Sequence, residues 1–392
     1  MNCGLPVQQN STDAHPPHQL IARLLHVDRD DAEAPVLFQR LVQGGRLARL
    51  LTSSPHHRIA PVLAERMRGI RLDIPFRGCE RDVEALEQAA AACQLRNRLL
   101  RRQLIEVVSM LADRGIAACL IKGAVSLADQ APAGYLSAAV RGMEDIDIVV
   151  APEDAETARA LLDRRGWLCT SGTQAVAFSI DSPALVDLHA WSRRDPAAGF
   201  LDRDDFFAKA HQTTAGGLKV TALNPQDAVQ LRLAHNVIRQ HLFVDFPLMD
   251  LYELASIITA HAEVINWPRL RSVGLMNEVS RILYAVLQRV RDEFGAPVPA
   301  DMIPPAERHA VSRLRRELEK LRTVPHGLYY AAARHVLVCA APGGTVDKLN
   351  RALDALVLDP LRSPSGARGR LVTPVKVAAQ HAAFIGWKLF HT

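Results

Sequence analysis

The sequence predicts an α+β fold in which a small mixed β-sheet is embedded in a mostly helical chain. Short apolar runs of strand length cluster between residues 115 and 224, with Gly or Pro at many of their ends. The stretches on both sides carry the apolar spacing of helices that pack on a core. Between them the order of helix, strand, helix and further strands is typical of a compact mixed sheet.

The 392 residues are enough for two or three domains. The polar start, rich in Pro, Asn and Ser, is predicted to be disordered. A long helix, about Cys79 to Arg114, precedes the sheet, and Asn224 and Pro225 cap the helix that follows it. The predicted segments are a disordered N-terminus (1–19), an N-terminal helical region (20–114), the sheet core (115–224), a helical domain (225–320) and a C-terminal helical region with a tail (321–392).

The most informative stretch begins with an apolar run, Ile116 to Ile121, that predicts a buried strand. Lys122 and Gly123 interrupt it, and residues 124–130 then predict a short helix. A strand that leads through a glycine turn into a helix presents backbone N–H groups to an anion. Lys122 adds a cation there, although a Lys-Gly pair on its own is more often an ordinary turn.

An Asp-x-Asp pair, Asp145 and Asp147, opens the next apolar run. Because side chains two apart on a strand share a face, the two carboxylates point the same way, while Ile146 and Ile148 point into the core. Paired carboxylates repel each other unless a cation lies between them. Mg²⁺ is the natural partner because it prefers oxygen ligands, with Mn²⁺ as the other expected ion. Alone, an Asp-x-Asp pair is usually a surface feature.

Asp187 is the candidate third acid, because it is embedded in the apolar run Ala184 to His189. An aspartate within a strand is disfavoured by propensity, so its presence asks for a reason. Three strand-borne carboxylates could hold two metal ions for an in-line displacement at phosphorus, with Asp187 as general base. His189 could contact a substrate or metal, but a structural hydrogen bond is the favoured interpretation.

The segments IKGAVSLA, RGMEDIDIVV and ALVDLHAW, in this order, resemble the uncharacterised bacterial nucleotidyltransferase family of the polymerase-beta-type superfamily. The resemblance covers about Leu104 to Trp267. It implies a mixed sheet flanked by helices, a divalent metal at Asp145 and Asp147 with Asp187 as third ligand, and transfer of a nucleotide from an NTP such as ATP.

The wider superfamily has Gly-Ser where this chain has Lys122 and Gly123, and a shorter gap to the Asp-x-Asp pair. Lys122, or Ser126 one turn into the helix, is therefore expected to take over the phosphate contact together with Gly123. Arg141, just before the Asp-x-Asp pair, is expected to neutralise phosphate charge. A structural salt bridge to a neighbouring acid is an equally weighted alternative for Arg141.

The acceptor stays open at this stage: a hydroxyl on a small molecule, a protein or tRNA. A second hypothesis is an inactive nucleotidyltransferase fold that binds a nucleotide or a partner. The net charge of +5 is compatible with an NTP or RNA ligand without requiring one. The six cysteines lack a C-x-x-C pair, and neither a secretory signal nor a membrane-spanning apolar run occurs, which favours the cytoplasm and free thiols.

Overall fold

The computed structural model describes residues 17–26, 33–42, 47, 57–69, 80–169, 174–178, 185–190, 207–234, 248–276 and 280–312. Within these ranges the helices are α1 (Pro17–Leu24), α2 (Ala34–Val42), α3 (Ala60–Gly69), α4 (Glu80–Ala112), α5 (Ala155–Arg164), α6 (Pro225–Ala234), α7 (Leu248–Ala260), α8 (Trp267–Met276) and α9 (Ser280–Phe294). The strands are β1 (Cys119–Leu120), β2 (Asp145–Val150), β3 (Leu168–Cys169), β4 (Gln174–Phe178), β5 (Leu185–Ala190), β6 (His211–Ala215) and β7 (Leu218–Ala222).

The strands form one seven-stranded sheet in the order β3-β4-β5-β2-β1-β7-β6. The pairs β2–β5 and β1–β7 are parallel, and the remaining neighbours are antiparallel. The sheet is therefore mixed, with helices around it, and the predicted α+β class is confirmed. Within the described ranges, no helix combines the length and hydropathy needed to cross a bilayer.

Strand β2 lies inside the sheet, and its two faces meet different helices. Ile146 and Ile148 are fully buried in a core that includes Leu104 of α4. Val149 lies in a separate buried cluster with Leu231 of α6. Because strand side chains alternate, Asp147 shares the face of Val149. The apolar period of β2 thus fixes which side of the sheet carries its acids.

A larger hydrophobic core lies among the helices. It joins Phe38 of α2 and Leu63 of α3 to Leu254 of α7 and to Tyr284 and Phe294 of α9. Apolar residues from both sides of the sheet segment in sequence thus pack in one cluster. The predicted segment boundaries stay predictions. Residues 1–16 and the predicted C-terminal region 321–392 lie outside the described residues, and α1 begins at Pro17, inside the predicted disordered start.

Two local expectations differ from the structure. The predicted helix over residues 124–130 is a 3-10 helix at Lys122–Leu127, so the turn after β1 is tighter than an α-helix. Strand β6 falls in a segment where no strand was predicted, and it forms an antiparallel hairpin with β7. The intervening Gly216 and Gly217 both have positive φ, which a tight hairpin turn requires. The Gly-Gly pair between two short runs was the sequence signal for that hairpin.

Candidate active site

Strands β2 and β5 bring the predicted acids to one face of the sheet. Their parallel register sets Asp147 opposite Asp187 and Val149 opposite His189. Side chains directly opposite each other on neighbouring strands lie on the same face, and so do residues two apart on one strand. Asp145, Asp147, Asp187 and His189 therefore share a face. The sequence alone predicted the two strands but not the register in which they pair.

Asp147, Asp187 and His189 form a group of possible metal ligands in the described part of the chain. One ligand atom from each lies within 4.8 Å of the others. The Nε2 atom of His189 is 2.9 Å from Oδ1 of Asp147 and 3.4 Å from Oδ2 of Asp187. Two carboxylates and an imidazole are a donor set that fits a divalent cation. Asp145 is not a member of this group of three, although it lies on the same strand face.

Lys122 turns back onto this face. Its Nζ atom donates a hydrogen bond of 2.7 Å to Oδ1 of Asp147, and its side chain is 12% exposed. Lys122 has a φ of 51°, the one positive φ of a non-glycine residue among the described residues. Such a conformation is disfavoured for a side chain with a Cβ and tends to occur at functional sites. The predicted anion-binding lysine thus contacts an acid of the site.

The two acids of the Asp-x-Asp pair differ in their electrostatic surroundings. Burial, followed by the negative charge of Asp147, raises the pKa of Asp145. Burial also acts to raise the pKa of Asp147, but the charge of Lys122 and the hydrogen bond from His189 hold it well below its usual range. Asp147 is therefore ionised at neutral pH in a site where it is only 2% exposed.

Gly123 makes room for Arg141. A Cβ at position 123 would lie 2.4 Å from Nη1 and 2.9 Å from Cζ of Arg141. The Nε atom of Arg141 is 3.1 Å and 3.0 Å from the two carboxylate oxygens of Glu253 on α7. Arg232 of α6 approaches the same carboxylate at 2.8 Å. Arg141 is thus held in a buried ion pair behind the turn that carries Lys122.

Two further polar residues support the turn region. Asn97 of α4 is 2% exposed and donates hydrogen bonds to the carbonyl oxygens of Ala138 at 2.7 Å and Arg141 at 2.8 Å. These bonds tie the loop before β2 to the long helix. Ser126 is 4% exposed, and its Oγ atom has no hydrogen-bond partner among the described residues. A buried hydroxyl of this kind usually has a partner.

The sequence interpretation missed Glu253 and Arg232, and it favoured a structural role for His189. A signal for Glu253 existed, because it is a single acid on the buried side of the apolar helix LMDLYELASIITA. Buried Glu and Arg residues are rare unless they are paired. The pairing of Glu253 with Arg141 joins residues 112 positions apart, which no local pattern contains.

A mixed sheet surrounded by helices, with carboxylates opposite each other on neighbouring strands, is consistent with a nucleotidyltransferase-type core. The chain belongs to the family described as "Uncharacterised nucleotidyltransferase", which it matches over residues 45–295, more than half of its length. The predicted family and enzyme class are confirmed. No curated protein and no solved structure matches the chain. The family and the group of Asp147, Asp187 and His189 together indicate a divalent metal.

Proposed function

We propose that this chain moves an NMP group from an NTP, ATP or another, to a hydroxyl acceptor in a reaction that depends on a divalent metal. The observation that carries the proposal is the pairing of Asp147 with Asp187 across β2 and β5. The pair lies beside the Lys122 turn in a chain of a nucleotidyltransferase family. Carboxylates crowded on one sheet face are stabilised when a cation lies between them.

The ligands proposed for the metal are Asp145, Asp147 and Asp187, with His189 close enough to join them. Mg²⁺ and Mn²⁺ both fit the carboxylates of this set. When bound, such an ion would polarise the phosphoryl oxygens and neutralise charge that develops during transfer. Asp145 is included as a ligand because burial and the neighbouring carboxylates raise its pKa. A bound cation would stabilise its charged form and lower the pKa again.

In the proposed reaction, the acceptor oxygen forms a bond to the α-phosphorus, the bond from this phosphorus to the bridging oxygen breaks, and pyrophosphate leaves. The acceptor proton passes to Asp187, the proposed general base. Asp187 suits this role because its side chain is 13% exposed, more than that of Asp147 at 3%. Asp187 can therefore meet an incoming hydroxyl, while Asp147 stays engaged with Lys122 and His189.

The triphosphate is proposed to lie against Lys122, the backbone at Gly123 and the hydroxyl of Ser126. The buried Ser126 Oγ atom without a partner in the described chain supports this assignment. Arg141 was predicted to neutralise phosphate charge or to form a structural salt bridge. Its contacts with Glu253 favour the structural alternative, in which Arg141 supports the turn from behind.

The acceptor is proposed to be a hydroxyl on a small molecule, a protein or tRNA, and the cytoplasm stays the expected compartment. Cys93 and Cys119, both buried free thiols, are in keeping with a reducing compartment. The alternative function is a nucleotide- or partner-binding module without turnover. This alternative is motivated by Lys122 and Gly123, which stand where the wider superfamily has Gly-Ser. The presence of all three acids, Asp145, Asp147 and Asp187, argues against it.

Calorimetry tests the proposal: each NTP is titrated into the chain with Mg²⁺ or Mn²⁺. The test variant is Asp145→Ala/Asp147→Ala, and the matched control is Glu153→Ala/Asp163→Ala, which removes two acids from the exposed surface. Circular dichroism verifies that both variants fold. Metal-dependent NTP binding by wild type and control, lost in the test variant, supports the proposal. Absence of binding by the wild type at about 1 mM NTP overturns it, since this is the upper end of ordinary enzyme KM values.

A further inference from the structure

The Lys122 ammonium lies where a cation would be expected in a cluster of carboxylates. Its Nζ atom is 2.7 Å from Oδ1 of Asp147, and Nε2 of His189 is 2.9 Å from the same oxygen. The side chains of Lys122, Asp147 and His189 are 12%, 3% and 3% exposed, so the ion pair between Lys122 and Asp147 is buried. Exposed ion pairs are often fortuitous, but removing one partner of a buried pair is strongly destabilising. The contact is therefore a built feature of the site.

The backbone is shaped to make this contact. The antiparallel register of β1 and β2 sets Leu120 opposite Ile148, and its continuation would set Lys122 opposite Ile146 on the apolar face. The positive φ of Lys122 takes the residue out of that ladder, and its amine reaches Asp147 on the other face. A lysine in this conformation is strained, so the fold maintains it at a cost in stability.

Charge counting limits how many further cations the site accepts. Asp145, Asp147 and Asp187 carry three negative charges, and Lys122 neutralises one of them. Arg141 is not counted with this face, because its guanidinium is paired with Glu253, although its charge still acts weakly on Asp145. One divalent ion brings the sheet face to neutrality, whereas two would leave it positively charged before any nucleotide arrives.

An ammonium can also perform the bridging task of a metal ion. It carries three N–H donors in a compact group. Among the described residues, Asp147 is the one hydrogen-bond partner of the Lys122 amine. The other donors are available to phosphate oxygens, so a single ammonium can join Asp147 to a triphosphate.

We propose that Lys122 takes the place of one of the two divalent ions of a two-metal nucleotidyltransferase site. The chain then binds one divalent ion per site, and Lys122 links Asp147 to the triphosphate. This inference rests on the proposed nucleotidyltransferase function and specifies how the site is charged. It also gives the Lys-Gly turn a reason, because a Gly-Ser turn supplies no cation.

Electron paramagnetic resonance with Mn²⁺ tests the inference on the full chain, saturated with a non-hydrolysable ATP analogue. Two Mn²⁺ ions at the roughly 3.5–4 Å spacing of two-metal sites couple magnetically, whereas a lone ion gives a simple six-line spectrum. The wild type is expected to show the uncoupled spectrum, with about one Mn²⁺ per chain by calorimetry. Lys122→Met should then admit a second ion, giving about two per chain and a coupled spectrum.

Lys122→Arg keeps a cation at the site and should retain the stoichiometry of the wild type. Lys219→Met, which removes an exposed lysine from β7, is the matched control and should also behave as the wild type. A coupled pair in the wild type overturns the inference while leaving the proposed function standing. An unchanged stoichiometry in Lys122→Met also overturns it. No Mn²⁺ bound by the wild type overturns the proposed function, and this inference with it.

Discussion

Two clusters of charged side chains meet at the turn after β1, and they are balanced differently. The acid cluster consists of Asp145, Asp147 and Asp187, with Lys122 as its cation. The arginine cluster consists of Arg141, Arg232 and Glu253, which is 0% exposed. In the arginine cluster two cations share one buried anion. In the acid cluster the carboxylates outnumber the cations, so this cluster is suited to bind a metal cation.

The difference shows how buried charge can serve structure in one place and chemistry next to it. The arginine cluster connects the loop before β2 to α6 and α7, and so it fixes the wall behind the turn. The acid cluster lies on the sheet face in front of that turn. Gly123 separates them, because only a residue without a Cβ lets Arg141 approach so closely. We therefore expect the position of Lys122 to depend on the arginine cluster.

The largest expected effect is on the arginine cluster. Glu253→Ala leaves Arg141 and Arg232 buried without their shared anion, and such a loss destabilises by about 3–5 kcal/mol. Urea unfolding followed by circular dichroism measures the change. Glu263→Ala, at an exposed glutamate after α7, is the control and should change the free energy of unfolding by no more than about 0.5 kcal/mol. A loss below about 1 kcal/mol for Glu253→Ala would show that the cluster behaves as a surface ion pair.

An intermediate effect is expected where the two clusters touch. Gly123→Ala forces a Cβ to within 2.4 Å of the Arg141 guanidinium, which Glu253 holds in place. Overpacking of this kind costs about 1–3 kcal/mol, and the displaced turn should also weaken Mn²⁺ binding. Gly69→Ala is the matched control, because a Cβ there meets no atom within 4 Å.

The comparison of the two glycine variants isolates the contact with Arg141. Gly69→Ala should leave both the free energy of unfolding and Mn²⁺ affinity close to those of the wild type. If Gly123→Ala matched Gly69→Ala in both measurements, the arginine cluster would not be supporting the turn. If only stability fell, the arginine cluster would be structural without influence on the acid cluster.

The sequence was sufficient for the parts of the site that follow from strand periodicity. The alternation of Asp145 to Val150 predicted both the strand and the shared face of its acids, and β2 has these bounds. The apolar run around Asp187 predicted β5 in the same way. The class of fold followed, because apolar patterns are local and each element carries its own.

The remaining features depend on contacts between distant segments. The register that sets Asp147 opposite Asp187 arises from the packing of whole strands. The pairing of Lys122 with Asp147 requires a positive φ that local rules assign to glycine. From the sequence, Lys122 was expected to hold the triphosphate. Glu253 lies on the buried side of a helix, and its position among apolar residues was the one sequence signal for its role.

The last prediction distinguishes the two acids inside the acid cluster, through the pH dependence of stability. The pKa of Asp147 is lowered in the folded chain, so its stabilising contribution is present above its unfolded value of about 3.9 and is lost as pH falls. The pKa of Asp145 is raised, chiefly by burial, so its contribution is present below about 3.9 and is lost as pH rises.

Asp147→Asn should therefore lower the free energy of unfolding at neutral pH, and Asp145→Asn should raise it. The Asp145→Asn difference should shrink as the pH falls towards about 4, whereas the Asp147→Asn difference should persist to about pH 4 and shrink only below it, where the unfolded-state carboxylate protonates. Urea unfolding across this range measures them, with Glu153→Gln as a control for removing one exposed charge. Shifts of the same sign in both variants would mean that Lys122 and His189 do not discriminate between the acids. Opposite signs would show that Lys122 and His189 stabilise the charged form of Asp147, which leaves Asp145 as the carboxylate whose charge an added metal ion relieves.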